Sequence, residues 1–243
     1  MVFTEARAKI QWANEHLANL KRRISELEDS YSAVIEVHPK FGYKMIKYDL
    51  ADKSAIEDIS LLVGDTLHNL KCALDYGWIK CLERHAPHAI NDHTQFPVHS
   101  TEQGLKDALT DPKKQLPAKL INLFLAKIKP YPGRNDALWD IKTLNILDKH
   151  RLLLPVITYG GITGLQMEDE RGKPIQGFVS GTTLELPWYI RVPDGGNVKH
   201  KGKPSIEILF DEGAPTHCHN VVFALELYSA MVLQVLETLE AFI

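Results

Sequence analysis

Residues 53–84, KSAIEDISLLVGDTLHNLKCALDYGWIKCLER, carry the longest helical pattern in the chain, and their reading decides the fold. At roughly 100° per residue, Ile56, Val63, Leu67, Leu70, Leu74, Trp78 and Cys81 gather on one face. That is an ordinary core stripe. Leu61, Asp65, His68, Cys72, Asp75 and Ile79 fall on the opposite side, within roughly 80° of one another. Polar residues there stand between apolar ones above and below, and Lys71 and Lys80 lie beside the stripe rather than on it. A solvated face would carry Lys and Glu throughout. The spacing therefore predicts a helix covered on both sides, with Asp65, His68 and Asp75 forming a polar pocket. Buried Asp and His must be paired or hydrogen-bonded. A carboxylate one turn from a histidine can orient its ring and tune its acidity. The functional expectation is an acid–base or metal-binding pair. The structural alternative is a polar network that pins helices in register.

A second helix is predicted over 136–153. Leu138, Ile141, Asn145, Asp148 and Leu152 share one stripe, again with two polar residues inside an apolar line. Lys149, His150 and Arg151 follow near its C-terminus, where cations complement the helix dipole. The dipole accounts for Lys149 and Arg151 but not for Asn145 and Asp148. If the two interrupted stripes face each other, one pocket holds Asp65, His68, Asp75, Asn145 and Asp148, with His150 or Arg151 at its rim. The expected catalytic set is then His68, Asp65, Asp75, Asp148 and His150. Asn69, Asn145, Lys149 and Arg151 are the expected substrate-binding residues, and metal and cofactor are left open.

Working outward, residues 4–29 predict an amphipathic helix with Ile10, Ala13, Leu17, Leu20, Ile24 and Leu27 on its apolar face. Fewer than four heptads are present, so this stripe is expected to pack within its own bundle. Residues 33–37 and 43–48 read as a β-hairpin turned by Pro39 to Gly42. Short helices are expected over 101–110 and 117–129, punctuated by Pro112, Pro117, Pro130 and Pro132. From Leu154 to Phe210, short β-prone runs, among them 155–159, 162–167, 177–179, 182–186, 188–192 and 205–210, alternate with Gly and Pro and predict an antiparallel sheet of about four to six strands. A last helix is expected over about 216–242. The predicted class is α+β in a single domain over 1–243. It consists of a helical bundle from 1–153 and 216–243 with a β-rich insertion at about 154–212.

Composition limits the function. The 243 residues are 44% hydrophobic and 24% charged, ordinary for a globular chain long enough to bury a core without staples. The net charge of −3 provides no global basic field for nucleic acid or anionic lipid. The three cysteines, Cys72, Cys81 and Cys218, read as free thiols in a reducing compartment. No charged n-region precedes an apolar h-region, and no uninterrupted apolar run approaches ~18 residues. A cytoplasmic protein is expected.

The strings Gly64 to Asp75 (GDTLHNLKCALD), Leu138-Trp139 and Asn145 to Arg151 (NILDKHR) resemble the pattern of a family of uncharacterised bacterial proteins. That pattern runs GD-x-LHNLRSALDH, a Phe-Pro step, a Pro-Tyr segment with LW, then N-x-x-DKHR. Phe96-Pro97 and Pro130-Tyr131 match the middle steps, so the resemblance spans roughly 60–155. It implies a bacterial protein and no particular activity. Arg, four residues and then His within the family string is also similar to the motif of HEPN ribonucleases, helical metal-independent RNases of toxin and defence systems. In such a site Arg would hold phosphate and His would move the proton. Here those positions are Lys71 and Tyr76.

Other constellations carry less. His217-Cys218-His219 lacks ordinary zinc spacing. His85, His88, His93 and His99 form a loose loop cluster that could hold metal only with ligands from elsewhere. Cys72 stands one turn from His68, as a Cys–His nucleophile pair would, although a buried thiol is the commoner outcome. Trp188 and Tyr189 read as either a binding surface or sheet core. The leading expectation is a small-molecule or phosphoester hydrolase with His68 as acid–base, acting on a small molecule or nucleotide. The alternatives are a degenerate HEPN-like RNA-acting or phage-defence protein, disfavoured by net charge, and a non-catalytic interaction module with a structural polar network. No membrane partner is expected, and a homodimer is compatible with the sequence.

Overall fold

The computed structural model describes residues 3–50, 55–150, 156–175, 187–210, 214–216 and 219–243. The protein is α+β, as expected. Helix α1 (Thr4–Asp29) buries Ile10, Ala13, Leu17, Leu20 and Leu27 along one stripe. It stops at Ser30, whose backbone N–H and hydroxyl both donate to the Leu27 carbonyl. Strands β1 (Tyr31–Val37) and β2 (Lys44–Leu50) then pair antiparallel, Ile35 opposite Ile46. Their connection closes through a 2.8 Å bond from His38 N–H to the Tyr43 carbonyl, with Gly42 at a φ of +71° that favours glycine.

Helix α2 (Ala55–His85) is the central element, packed by α1, α5 (Asp136–His150) and α6 (Val221–Glu240). Two glycines set how closely its neighbours approach. A Cβ on Gly77 would lie 2.4 Å from Leu236 Cδ2 of α6. One on Gly64 would lie 2.6 Å from the Asp148 carboxylate of α5. Between α2 and α5 lie α3 (Glu102–Leu109), capped by Thr101 Oγ1 accepting from Gly104 N–H, and the short α4 (Ala118–Asn122). Residues 123–128 continue α4 as a π-helical turn, which ends at Lys129 in the left-handed region with a bond from Lys129 N–H to the Phe124 carbonyl.

The β region departs from the expectation of one sheet. Strand β3 (Val156–Glu168) pairs only with β5 (Asn197–Leu209) among the described residues, joining runs read as separate in the sequence. Strand β4 (Trp188–Arg191) instead extends the N-terminal hairpin, in the order β1-β2-β4. Trp188 is buried and stacks on Tyr31 at 5.3 Å, whereas Tyr189 is exposed. Local alternation identifies a strand but not its partner, which depends on a buried face made elsewhere in the chain. The expected runs at 177–179 and 182–186, and His217-Cys218, lie outside the described residues.

Helix α6 begins later than expected, at Val221. Asn220 caps it by accepting from Phe223 N–H. Among the described residues it is the one helix long and apolar enough, at mean hydropathy 1.5, to cross a membrane. Glu226, Gln234 and Glu237 interrupt its apolar sequence, so no single unbroken run marks it. In this fold it is a core helix, with Val221, Leu225, Tyr228, Val232, Leu236 and Leu239 buried. One continuous apolar cluster runs from Phe3 through α2 to Leu239 and takes in Trp188 and Ile206 from the strands.

Candidate functional site

The contacts of α2 separate its two polar residues nearest the start from the rest. Asp65 and His68 are exposed, as is Leu61 at 56%, so α2 is not covered along the first half of that stripe. The physical reason lies in the packing of α5, which meets α2 through the buried Gly64 and leaves the side chains on the adjoining face in solvent. Asp148 lies against Gly64, so α5 does face α2, but through Asp148 rather than through a shared pocket with His68. Asn145 is buried on α5, while Lys149 and His150 are exposed. Arg151 lies outside the described residues.

Asn69 is a structural bridge. Its carbonyl accepts from Lys9 Nζ of α1 at 3.1 Å, and its amide donates to the Asp65 carbonyl at 2.9 Å. Cys72 Sγ sits 3.5 Å from His68 Nε2. Burial raises the Cys72 thiol pKa, and the charge of Asp75 acts in the same direction against Lys9, Lys71 and Lys149. The thiol is thus held protonated, the opposite of an activated nucleophile. Tyr76, at the HEPN histidine position, is 40% exposed, whereas Lys71, at the arginine position, is only 7% exposed. Five residues apart on a helix, the two point about 140° away from each other.

Asp75 has a different role from Asp65. Its Oδ1 accepts from Lys71 Nζ at 2.5 Å and from the backbone N–H of Phe96 at 2.8 Å. One carboxylate oxygen therefore fixes a nearly buried lysine and ties the 91–99 loop to α2. The loop has its own order: Asn91 Oδ1 accepts from His93 N–H, and Thr94 Oγ1 accepts from Asn91 N–H, each at 2.8 Å. At its far end His99 N–H donates to the Pro130 carbonyl at 3.1 Å.

Between this loop, α2, α5 and the turn after α3 lies a cleft of about 360 Å³. Its apolar floor includes Trp78, Leu82, Phe96, Leu109 and Leu116. Trp78 and Phe96 both pack on Phe124, at 5.0 and 5.3 Å between ring centres. Its polar wall carries Lys71, Lys114, Lys142, His93 and His99, and among the described residues lining it none is Asp or Glu. Lys142 Nζ donates to the Val98 carbonyl at 2.7 Å, and Lys114 Nζ to the Ala108 carbonyl at 2.8 Å. Burial lowers the Lys142 pKa, and the charge of Lys71 lowers it further. Burial likewise lowers the His99 pKa, followed by the charges of Lys142 and Lys114, so its ring stays neutral near pH 7.

Of the residues expected from sequence, Asp75 alone shapes this cleft, by holding Lys71 and Phe96. His99 entered the sequence reading only within a loose histidine cluster, and Lys142 and Lys114 not at all. A lysine beside the Asn145 stripe carries no mark of burial in the sequence. The signal that was present is Lys71, an ammonium flanking the core stripe of α2. Among the described residues no three His, Cys, Asp or Glu side chains group as metal ligands. Comparison with family models, with curated proteins and with solved structures finds no match for the chain.

Proposed function

We propose that the protein binds a small organic anion, carboxylate- or phosphate-bearing, in the cleft between α2 and the 91–99 loop and acts on it by acid–base chemistry. The observation that carries this reading is the lining: three lysines and two histidines around an apolar floor, with no carboxylate among the described lining residues. Protein sites of a few hundred Å³ with an apolar body and a few convergent polar groups are typical of small-molecule ligands. Ammonium groups satisfied mainly by carbonyls keep their charge available to a ligand oxygen. The neutral His99 ring supplies the proton acceptor that was expected of His68. Asp75 positions the site through Lys71 and Phe96.

Calorimetric titration with inorganic phosphate and with acetate tests the reading. Lys114→Met is expected to weaken binding by about tenfold, the loss of one charge-assisted hydrogen bond. Asp65→Asn and His68→Gln are expected to leave it unchanged. Binding that is absent, or indifferent to Lys114, rejects the site.

A non-catalytic module has one specific observation in its favour. Asn69 and Asp75 both spend their side chains on the protein's own Lys9, Lys71 and Phe96. Full phosphate affinity with no turnover of any phosphoester or carboxylate ester would favour that alternative.

A further inference from the structure

The three lysines of the cleft are not equivalent. Lys71 has an ion-pair partner in Asp75, 2.5 Å away. Lys114 arises from the turn after α3 and reaches back to Ala108. Lys142 stands on the rigid helix α5, half-buried, beside Lys71 and close to His99. Its contacts are a backbone carbonyl at 2.7 Å and the face of Trp139, 5.8 Å from the ring centre. It enters no ion pair with a carboxylate among the described residues. An amine that is desolvated, uncompensated and next to a second ammonium is the arrangement that turns lysine into a nucleophile toward carbonyl carbon.

We propose that Lys142 is a nucleophilic amine that forms an imine with a small anionic aldehyde or keto acid bound in this cleft. The proposal rests on the anion-binding reading above and names its substrate class. The ammonium first gives one proton to the neutral His99 ring or to water. The nitrogen lone pair then attacks the carbonyl carbon as the C=O π pair moves to oxygen, giving a carbinolamine. Loss of that oxygen as water, carrying both remaining amine protons, leaves C=N; no oxidant or reductant takes part. Lys71 and Lys114 would hold the anionic end, and Trp78 and Leu116 the apolar body. Burial and the charge of Lys71 both favour the free amine that the first step requires.

The test treats the intact protein with glyoxylate, and separately with acetaldehyde, in the presence of cyanoborohydride, and maps the modified lysines by mass spectrometry. Glyoxylate is expected to modify Lys142 at least several-fold faster than the exposed Lys40 and Lys113, because burial and the Lys71 charge leave more of its amine unprotonated. Added phosphate is expected to slow that labelling, and Lys142→Arg to abolish it. Equal, selective labelling of Lys142 by both aldehydes would uphold the nucleophile and reject the anion site. Labelling of Lys142 no faster than of Lys40 overturns the proposal, even where phosphate binds.

Discussion

Asp75 is the residue on which the cleft depends most directly, because one oxygen serves two elements. Its removal strands the Lys71 ammonium, 7% exposed, and frees the Phe96 N–H. Breaking a largely buried pair by deleting one partner costs more than the pair is worth, because the other charge stays desolvated. Asp75→Ala is expected to destabilise the fold by about 2–4 kcal/mol in urea denaturation, and adding Lys71→Met is expected to recover part of that loss. Simple addition of the two effects would show that the ion pair is not coupled. His99 makes a separate prediction. Its pKa in the fold lies below its ordinary 6.5, so the unfolded chain takes the proton first as pH falls. Stability is therefore expected to decline as pH falls through 6.5 and down to the lower folded value, and His99→Gln is expected to flatten that slope. A slope unchanged by the substitution would mean that His99 is as well solvated in the fold as out of it.

The helices were legible because each carries its own periodicity. Ile10 to Leu27 and Val63 to Trp78 report burial at spacings of three and four, and both stripes are core. Opposite-face polar residues were misread for an equally physical reason: a polar stripe framed by Leu61 and Ile79 looks covered, but coverage belongs to the neighbour. Leu61 lies in solvent, and the cleft forms about four turns further along α2, where the 91–99 loop folds over Asp75. That loop has no periodicity to read, so His99 could be seen but not placed. The glycines show the same dependence on partners. Gly77 costs α2 about 1 kcal/mol in helix propensity, yet Leu236 of α6 fills the space where its Cβ would stand. Gly77→Ala is expected to be net destabilising by about 1 kcal/mol or more, because core overpacking outweighs the propensity gain. A stabilised variant in thermal unfolding would mean that α6 can shift away at no cost.

At the scale of the molecule, the sheets share the bundle's apolar core through residues such as Ile46, Tyr48, Trp188 and Ile206, and add a few directed polar contacts to it. Both sheets meet at the C-terminal end of α1. Glu28 accepts from Ile206 N–H at 3.2 Å, Asp29 pairs with Lys203, and Lys201 Nζ donates to the Ala33 carbonyl at 2.6 Å. The fully buried Tyr48 of β2 donates its hydroxyl to the Lys201 carbonyl of β5, which joins the two sheets to each other. The β3–β5 ribbon has no third strand among the described residues, and two-stranded ribbons are marginal without outside support. Opening of this ribbon is therefore expected to precede global unfolding, with amides of β5 exchanging faster than those of α2. Tyr48→Phe removes one bond between the sheets without changing ring packing and leaves the one from Lys201 Nζ to the Ala33 carbonyl, at a cost of about 1 kcal/mol. That cost is expected to appear as faster exchange along 197–209, with protection in α1, α2 and α6 retained. Loss of protection spread evenly over helices and strands would instead mean that the sheets and the bundle unfold as one unit.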